Sequence, residues 1–427
     1  MNYLKILYFL DFAFNFGGAS YGVLKMAQLS QKVGNNIKII IPTDKQGYYN
    51  IVYDQKCEEL NLDYDHAYIS VATEMTQIDV LGAIDTISNV ETCIQKFEPD
   101  LIHSTQVNIA VELISRKYCI PHMMSVYQAE KETFNFDYLK VYPAYHLTDS
   151  QIYSMYWGEG LAIESRYIRL GYKRISYPES NTISSNEKIR MVCVGAVCKR
   201  KNQLGAIKLV KSLRDEGYHV ELECWGNLAE ESYVKECYDY IKSNSLESAV
   251  FLKNFSMEAE KEIRKADVLI SCSFSESFPM VLTEAFRNGT AAIATPIGGI
   301  PEVIKNGHNG YLTEGLDQKD FKKSFFQYFK DRESGRISTI INNAYQTFED
   351  LFLEEKNFNN LMQYYYFVCE DYKRKTISKY KEISFEDFQQ IWKPYLNICD
   401  KVEDSKRYDS EEIRFYRSKL WWISHMK

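Results

Sequence analysis

Proline is scarce in this 427-residue chain, with 9 residues where average usage would supply roughly 21. Glycine is also low at 20, while 45 % of residues are apolar and 26 % charged. That balance lies near the globular average and excludes wholesale disorder. No apolar stretch approaches the ~18 residues of a membrane span. The apolar run over residues 3–16 is interrupted by Lys5 and Asp11 and lacks a clean small-residue cleavage site, so it reads as a first buried strand rather than a signal peptide. The ten cysteines (Cys57, Cys93, Cys119, Cys193, Cys198, Cys224, Cys237, Cys272, Cys369 and Cys399) contain no C-x-x-C and no Cys/His cluster of zinc-like spacing. They read as buried reduced thiols of a cytoplasmic protein. A basic excess is missing too: 51 Lys plus Arg face 58 Asp plus Glu, a formal charge of −7. Such a chain is a poor general binder of nucleic acid or anionic membrane, and any phosphorylated ligand must meet local positive charge.

What is present is alternation. At ~150 residues per domain there is room for two or three domains. Residues 4–10 form a strand candidate, followed by Gly17-Gly18. A helical pattern carried by Val23, Met26, Ala27 and Val33 then closes at Gly34. Residues 37–41 make the next strand, ending at Pro42, and residues 101–102 and 122–126 make two more. The apolar signal fades in a Ser/Asn-rich stretch, 177–188, the best linker in the chain. It then restarts with strands at 190–197, 219–225, 250–252, 268–271 and 291–294 and with helices between them. Strands separated by helices imply βαβ units and parallel sheets. Beyond about Asp320 only helical spacings remain, marked by Phe321, Phe325, Phe329, Phe348, Phe352, Met362 and Tyr365. The organisation is therefore α/β: domains at 1–175 and 189–350, then a helical extension at 351–427, part of it packing back on the first domain.

The strongest chemical signal is residues 271–304, SCSFSESFPMVLTEAFRNGTAAIATPIGGIPEVI. Pro279 favours a helix start, which leaves Glu276 in the loop before the helix and Glu284 inside it. The amides of Met280, Val281 and Leu282 then belong to a helix N-terminus, which suits a phosphate. Two carboxylates flanking such a site could accept from hydroxyls on either side of the phosphate. Equally, Glu276 could simply cap the helix while Glu284 faces solvent. A second stretch, residues 192–203 (VCVGAVCKRKNQ), runs a strand through Gly195 into Lys199, Arg200 and Lys201. It reads as a diphosphate clamp or as a solvated basic loop. The Gly17-Gly18 pair reads as a phosphate approach or as a plain turn. Asp63-Tyr64-Asp65 is formally D-x-D, but it stands in an acidic loop far from these motifs, and no metal site is expected.

These residues resemble glycosyltransferase family 4, retaining enzymes of GT-B fold. The match lies in Ser273, Glu276, Phe278-Pro279, Glu284-Ala285, Gly289, Gly298-Gly299, Pro301-Glu302, Gly307 and Gly310. Looser correspondences are Gly17-Gly18, His103, Gly195 through Lys201, and Gly226. The resemblance implies two Rossmann-like parallel-sheet domains facing a cleft, with a nucleotide-diphosphate-sugar donor held mainly by the second. Glu284 would accept from ribose hydroxyls and Glu276 from the donor sugar. Lys201 and the amides around Phe278, Pro279, Met280 and Val281 would hold the diphosphate, helped by Gly195 and Arg200, with Gly18 closing from the first domain. Glu276 and Lys201 would carry catalysis. Transfer would proceed with retention, without a metal and without a cofactor. A UDP-sugar is the expected donor, with GDP- and ADP-sugars as alternatives.

Two departures stand out. Many family members follow the Gly that matches Gly195 with an Arg; this chain has Ala196. A family His on the acceptor side is replaced by Tyr127, in PHMMSVYQ (121–128), and Tyr cannot share a proton near neutral pH as His can. His103 either lines the cleft with Tyr127 or packs in the core. The acceptor, whether glycan, lipid-linked molecule or protein, is left open by the resemblance. The tail, ending in Leu420-Trp421-Trp422-Ile423, either packs on the domains or meets a protein partner or the inner membrane surface. Synthesis of a surface polysaccharide or glycoconjugate is the expected role. A non-catalytic, transferase-like subunit that binds a partner or glycan is the alternative.

Overall fold

A computed structural model of the chain describes residues 3–10, 13–14, 16–69, 80–105, 109–127, 145–152, 154–155, 164–176, 188–256 and 258–379. The described residues fall into two compact units. The first holds those up to Thr148, those between Ser154 and Ile168, and the chain from Phe358 on. The second holds those between Asp149 and Tyr153 and between Arg169 and Asn357.

In the first unit, strands β1 (Lys5–Phe9), β2 (Asn36–Thr43), β3 (Tyr64–Tyr68), β4 (Leu101–Thr105), β5 (His122–Ser125), β6 (Tyr145–Thr148) and β7 (Glu164–Tyr167) pair in parallel in the order β3-β2-β1-β4-β5-β6-β7. Helices α1 (Gly18–Lys32), α2 (Val52–Leu60), α3 (Val80–Phe97) and α4 (Ile109–Lys117) lie between strands. Val23, Met26 and Ala27 of α1 are buried as their spacing requires, while Val33 sits at the helix C-cap, 46 % exposed.

Three expectations change here. Strand β2 does not stop at Pro42 but runs to Thr43, with Pro42 paired opposite Ala67. The Ile39 amide points to β3 and the Ile40 carbonyl to β1, so alternation aims the missing N–H of Pro42 toward the β1 side. Pairing with β1 ends at Phe9 opposite Ile40, so no ladder bond is lost. Tyr64 and Asp65 form a strand rather than an acidic loop, and Asp63 and Asp65 are held by Lys38 at 2.9 and 3.0 Å. Strands β3, β6 and β7 are only four or five residues long and lack a strong apolar run, which is why periodicity misses them.

The second unit pairs β8 (Ile189–Val194), β9 (Val220–Trp225), β10 (Val250–Lys253), β11 (Val268–Ser271), β12 (Ala291–Ala294) and β13 (Tyr311–Leu312) in the parallel order β10-β9-β8-β11-β12-β13. Its helices are α5 (Gln203–Asp215), α6 (Glu231–Ser243), α7 (Ala259–Lys265), α8 (Met280–Arg287), α9 (Ile300–Val303), α10 (Gln318–Glu333) and α11 (Ile337–Leu351). One sheet face packs Met191, Cys193, Leu222 and Ile270 against Leu209 of α5, Cys237 of α6 and Phe325 of α10. The other packs Val192, Leu269 and Ala292 against Ile263 of α7, Phe286 of α8 and Phe348 of α11. The strand order reverses between β8 and β11, so the loops leaving their carboxyl ends part there and open ligand-binding ground.

Helix α12 (Glu354–Lys379) belongs to the first unit from Phe358 on. Within that unit Tyr364 donates to the carbonyls of His146 (3.0 Å) and Glu164 (2.9 Å), and Tyr145 donates to Asp371 (2.8 Å). The linker candidate up to residue 187 and the Trp-containing tail lie outside the described residues.

Candidate functional site

The loops after β8 and β11 meet at Glu276. A short 3-10 turn, Lys199–Lys201, follows Gly195, and Asn202 adopts the left-handed conformation (φ 54°) that caps α5. The Asn202 side chain also donates to the Cys272 carbonyl at 3.2 Å, fastening one loop to the other. The Phe274 amide donates to the Arg200 carbonyl (2.8 Å), and the Arg200 guanidinium returns a bond to the Ser275 carbonyl (3.0 Å). The buried Glu276 carboxylate accepts from Lys201 Nζ and from Ser273 Oγ (2.7 Å), with Arg200 3.4 Å away. Burial alone would raise its pKa. The Lys201 and Arg200 charges and the bonds from Lys201 and Ser273 overcome that and hold it below the usual glutamate value. The carboxylate is therefore kept ionised in a place where a lone one would pick up a proton.

Pro279 is the N-cap of α8 rather than its first helical residue, with φ −77° and ψ 119°. Extended backbone at that position is usual for an N-cap, and the first-turn amides of Met280 and Val281 belong to the end of α8 that follows the loop carrying Glu276. Phe278 anchors the turn by stacking on Phe352, centroids 5.4 Å apart and planes at 20°. Glycines bring a third loop in. Gly298 has φ +50°, and a Cβ there would stand 1.9 Å from the Glu276 carbonyl oxygen; the Gly299 amide donates to the Ser277 carbonyl at 2.6 Å. The second glycine pair thus serves close packing of the β12 loop on the β11 loop.

Glu284 lies on α8, partly buried, and accepts from the Tyr172 hydroxyl at 3.1 Å. Burial and then the Glu260 charge push its pKa up to about 7, against the pull of the Tyr172 bond and Arg287. Arg287 binds Glu260 at 3.0 Å and lies over the Tyr172 ring at 5.6 Å. Glu302, in the Pro301-Glu302 motif, is an acceptor hub. It receives Ser150 Oγ (2.7 Å), the amides of Gln151 and Ile152 (both 3.0 Å) and Arg169 (2.8 Å).

Gly195, Arg200, Lys201, Glu276, Phe278, Pro279, Met280, Val281 and Glu284 all belong to the second unit; Gly18, His103 and Tyr127 belong to the first. Gly18 opens α1 on exposed backbone. Tyr127 is partly buried just after β5. His103 is a core residue, fully buried, with Nδ1 2.7 Å from the Tyr365 hydroxyl and Nε2 2.5 Å from Ser125 Oγ. Burial and then the His122 charge lower its pKa to about 3, so it stays neutral. The same sheet holds a second buried chain: Ser104 Oγ 2.7 Å from His122 Nε2, and His122 Nδ1 2.6 Å from Glu112. This has the order of a hydroxyl–imidazole–carboxylate relay, yet Ser104 is 0 % exposed and reaches no substrate. Among the described residues no group of three or more His, Cys, Asp or Glu is placed to hold a metal ion, and no helix is long and apolar enough to cross a membrane.

Residues 177–347 match the family model for glycosyl transferases group 1. Over 137 residues the chain is 31 % identical to N-acetyl-alpha-D-glucosaminyl L-malate synthase of Bacillus anthracis, covering 32 % of this chain and 35 % of that one. Over 150 residues it is 25 % identical to the poly(glycerol-phosphate) alpha-glucosyltransferase of Bacillus subtilis (strain 168), 35 % of this chain and 22 % of the relative. The chain spans about a third or less of the length of these curated relatives. The structure of Anabaena Alr3699/HepE in complex with UDP and glucose is similar over 84 % of this chain and 99 % of that one, with TM-score 0.71 at 18 % identity. The fold is that of the GT-B glycosyltransferases.

Within this GT-B fold the motif residues account for only part of the site. Asp149 and Ser150 enter it from a segment that carries no motif, Arg169 and Tyr172 from residues 168–172 (IRLGY), which only loosely resemble a family loop, and Glu260 from α7. Only a faint signal was available: Thr148-Asp149-Ser150 are polar residues at the carboxyl end of β6, where such folds bind ligands, but Tyr145-His146-Leu147 is too short and mixed to mark that strand.

Proposed function

We propose that the chain is a retaining glycosyltransferase of family 4. It would move a sugar from a nucleotide-diphosphate-sugar, a UDP-sugar first of all, to a hydroxyl acceptor in surface polysaccharide or glycoconjugate synthesis. The observation that carries this is the cluster of Glu276, Lys201, Arg200 and Ser273 beside the N-terminus of α8, in a unit that matches group 1 glycosyl transferases. The neighbour bound to UDP and glucose supports the choice of base.

In the free protein Glu276 and the two cations satisfy one another. A donor exchanges those partners. Its diphosphate takes Lys201, Arg200 and the α8 amides, and Glu276 turns its acceptor oxygens to the sugar hydroxyls. Glu284 accepts from the ribose. The charge that develops on the departing diphosphate meets two side-chain cations and a helix dipole already in place, so the reading needs no metal there. The leaving phosphate helps deprotonate the incoming hydroxyl on the face it departs from, which gives retention.

The test is a panel of UDP-, GDP- and ADP-sugars, read by donor hydrolysis and thermal shift. At least one should stabilise the wild type. Lys201→Ala should cut turnover by about two to three orders of magnitude, as loss of a group aimed at transition-state charge does. A folded protein that answers to no donor, or full transfer by Glu276→Ala, contradicts the assignment.

A further inference from the structure

Asp149 is a carboxyl that no motif marks. It is buried, and its Oδ1 accepts from the hydroxyl of Ser277, the residue directly after Glu276. Ser277 is held from a second side, because its carbonyl accepts the Gly299 amide at 2.6 Å. Asp149 has little freedom of its own. The next three residues, Ser150, Gln151 and Ile152, are bound to Glu302, and Arg169 closes the same carboxylate. A fixed acid is thus tied to the backbone that leads from Glu276 into the α8 N-terminus.

Resting on the donor reading above, we propose that Asp149 is a positioning residue of the donor site: through the Ser277 hydroxyl it sets the backbone of residues 276–281, and it adds its charge to, or withholds it from, the place where a nucleoside diphosphate docks. The charged groups facing it are Glu276, on the loop that carries Ser277, and Arg169; Glu302 stands behind Ser150, and Lys201 and Arg200 lie across Glu276. Burial, reinforced by the Glu276 charge, pushes the Asp149 carboxyl up to about 7, against the pull of the Ser277 bond, its own backbone and Arg169. Below that pH the pocket holds one carboxylate charge next to the diphosphate position, on Glu276. Above it there are two, close to an incoming polyanion. Binding a diphosphate therefore favours protonated Asp149 and takes up a proton, so affinity falls as pH rises through about 7. Glu284 titrates in the same range with the opposite effect, because its ionised form accepts better from ribose. The informative quantity is consequently the ratio between wild type and a variant that cannot ionise at position 149.

The experiment titrates UDP, GDP and ADP into the full chain by calorimetry from pH 5.5 to 8.5, using the tightest of the three for wild type, Asp149→Asn and Ser277→Ala. Asn keeps an acceptor for Ser277 and removes the titration. The wild-type affinity should match that of D149N at pH 5.5 and fall about tenfold below it by pH 8.5, the effect of a one-unit shift of the carboxyl on binding. S277A removes a bond that favours the ionised carboxyl, so its fall should move to higher pH. A wild-type to D149N ratio that stays constant with pH overturns the proposal while leaving the donor reading intact. If D149N does not fold, an unchanged midpoint in S277A overturns it. Wild type that binds none of the three diphosphates at any pH overturns both.

Discussion

Tyr172 donates its hydroxyl to Oε1 of Glu284 at 3.1 Å, across 112 residues of sequence. That bond pulls the Glu284 pKa down while burial and Glu260 push it up to about 7. The carboxyl assigned to the ribose is therefore balanced between its acceptor and donor forms near neutral pH, and Tyr172 biases it toward the acceptor.

Tyr172→Phe removes the bias. Its Glu284 titrates at higher pH, so at pH 7 more of it is protonated and accepts poorly. UDP should bind several-fold more weakly at pH 7 and recover toward wild type by pH 8.5. Calorimetry at the two pH values checks this, and equal loss at both would assign Tyr172 to packing alone.

Gly298 combines φ +50° with a backbone oxygen where a Cβ would sit. Gly298→Ala must shift the loop that carries Glu276, at a cost of about 2–3 kcal/mol. Gly217 has φ +87° but nothing within 4 Å of its Cβ position, so Gly217→Ala should cost only about 1 kcal/mol. Urea unfolding of the two variants tests the contrast, and only G298A should also lose donor binding.

Glu302→Ala removes the acceptor that Arg169, Ser150 and the Gln151 and Ile152 amides share. The Arg169 and Glu302 side chains are 10 and 11 % exposed, so the ion pair is largely desolvated. Breaking such a pair from one side costs about 3 kcal/mol. The melting temperature should fall accordingly. Restoring it with Arg169→Met in the E302A background would show that the loss of the carboxylate's charge beside Arg169, rather than lost packing, is the cause.

The first unit should be acid-sensitive. Burial, and then the His122 charge, lower both His103 and His146 to about 3. The unfolded chain binds protons at each below pH ~6.5 that the folded chain refuses. Stability is thus complete above that pH and declines as pH falls toward 3, by about 2 kcal/mol per histidine at pH 5. His103→Gln should flatten the slope of unfolding free energy against pH between 6.5 and 5, as measured by urea titration.

Sequence by itself determined what acts over a few residues. Apolar runs such as 268–271 and 291–294 and the spacing of Leu204, Ile207, Val210 and Leu213 decide strand and helix locally, and they recur as β11, β12 and α5. That Glu276 stands in a loop before a helix and Glu284 inside it was legible for the same reason, since loop, proline and helix follow one another within one short segment; that Lys201, 75 residues earlier, meets Glu276 was not. Short polar strands such as β3 and β7 were not, because so few residues carry no usable period. Only the tertiary structure decided that His103 is a sealed core residue, that Glu302 gathers Ser150 and Arg169, and that Asp149 meets Ser277 across 128 residues. A carboxyl's partner, burial and charge state come from side chains that folding brings together, and propensity, which acts between near neighbours, holds no information about them.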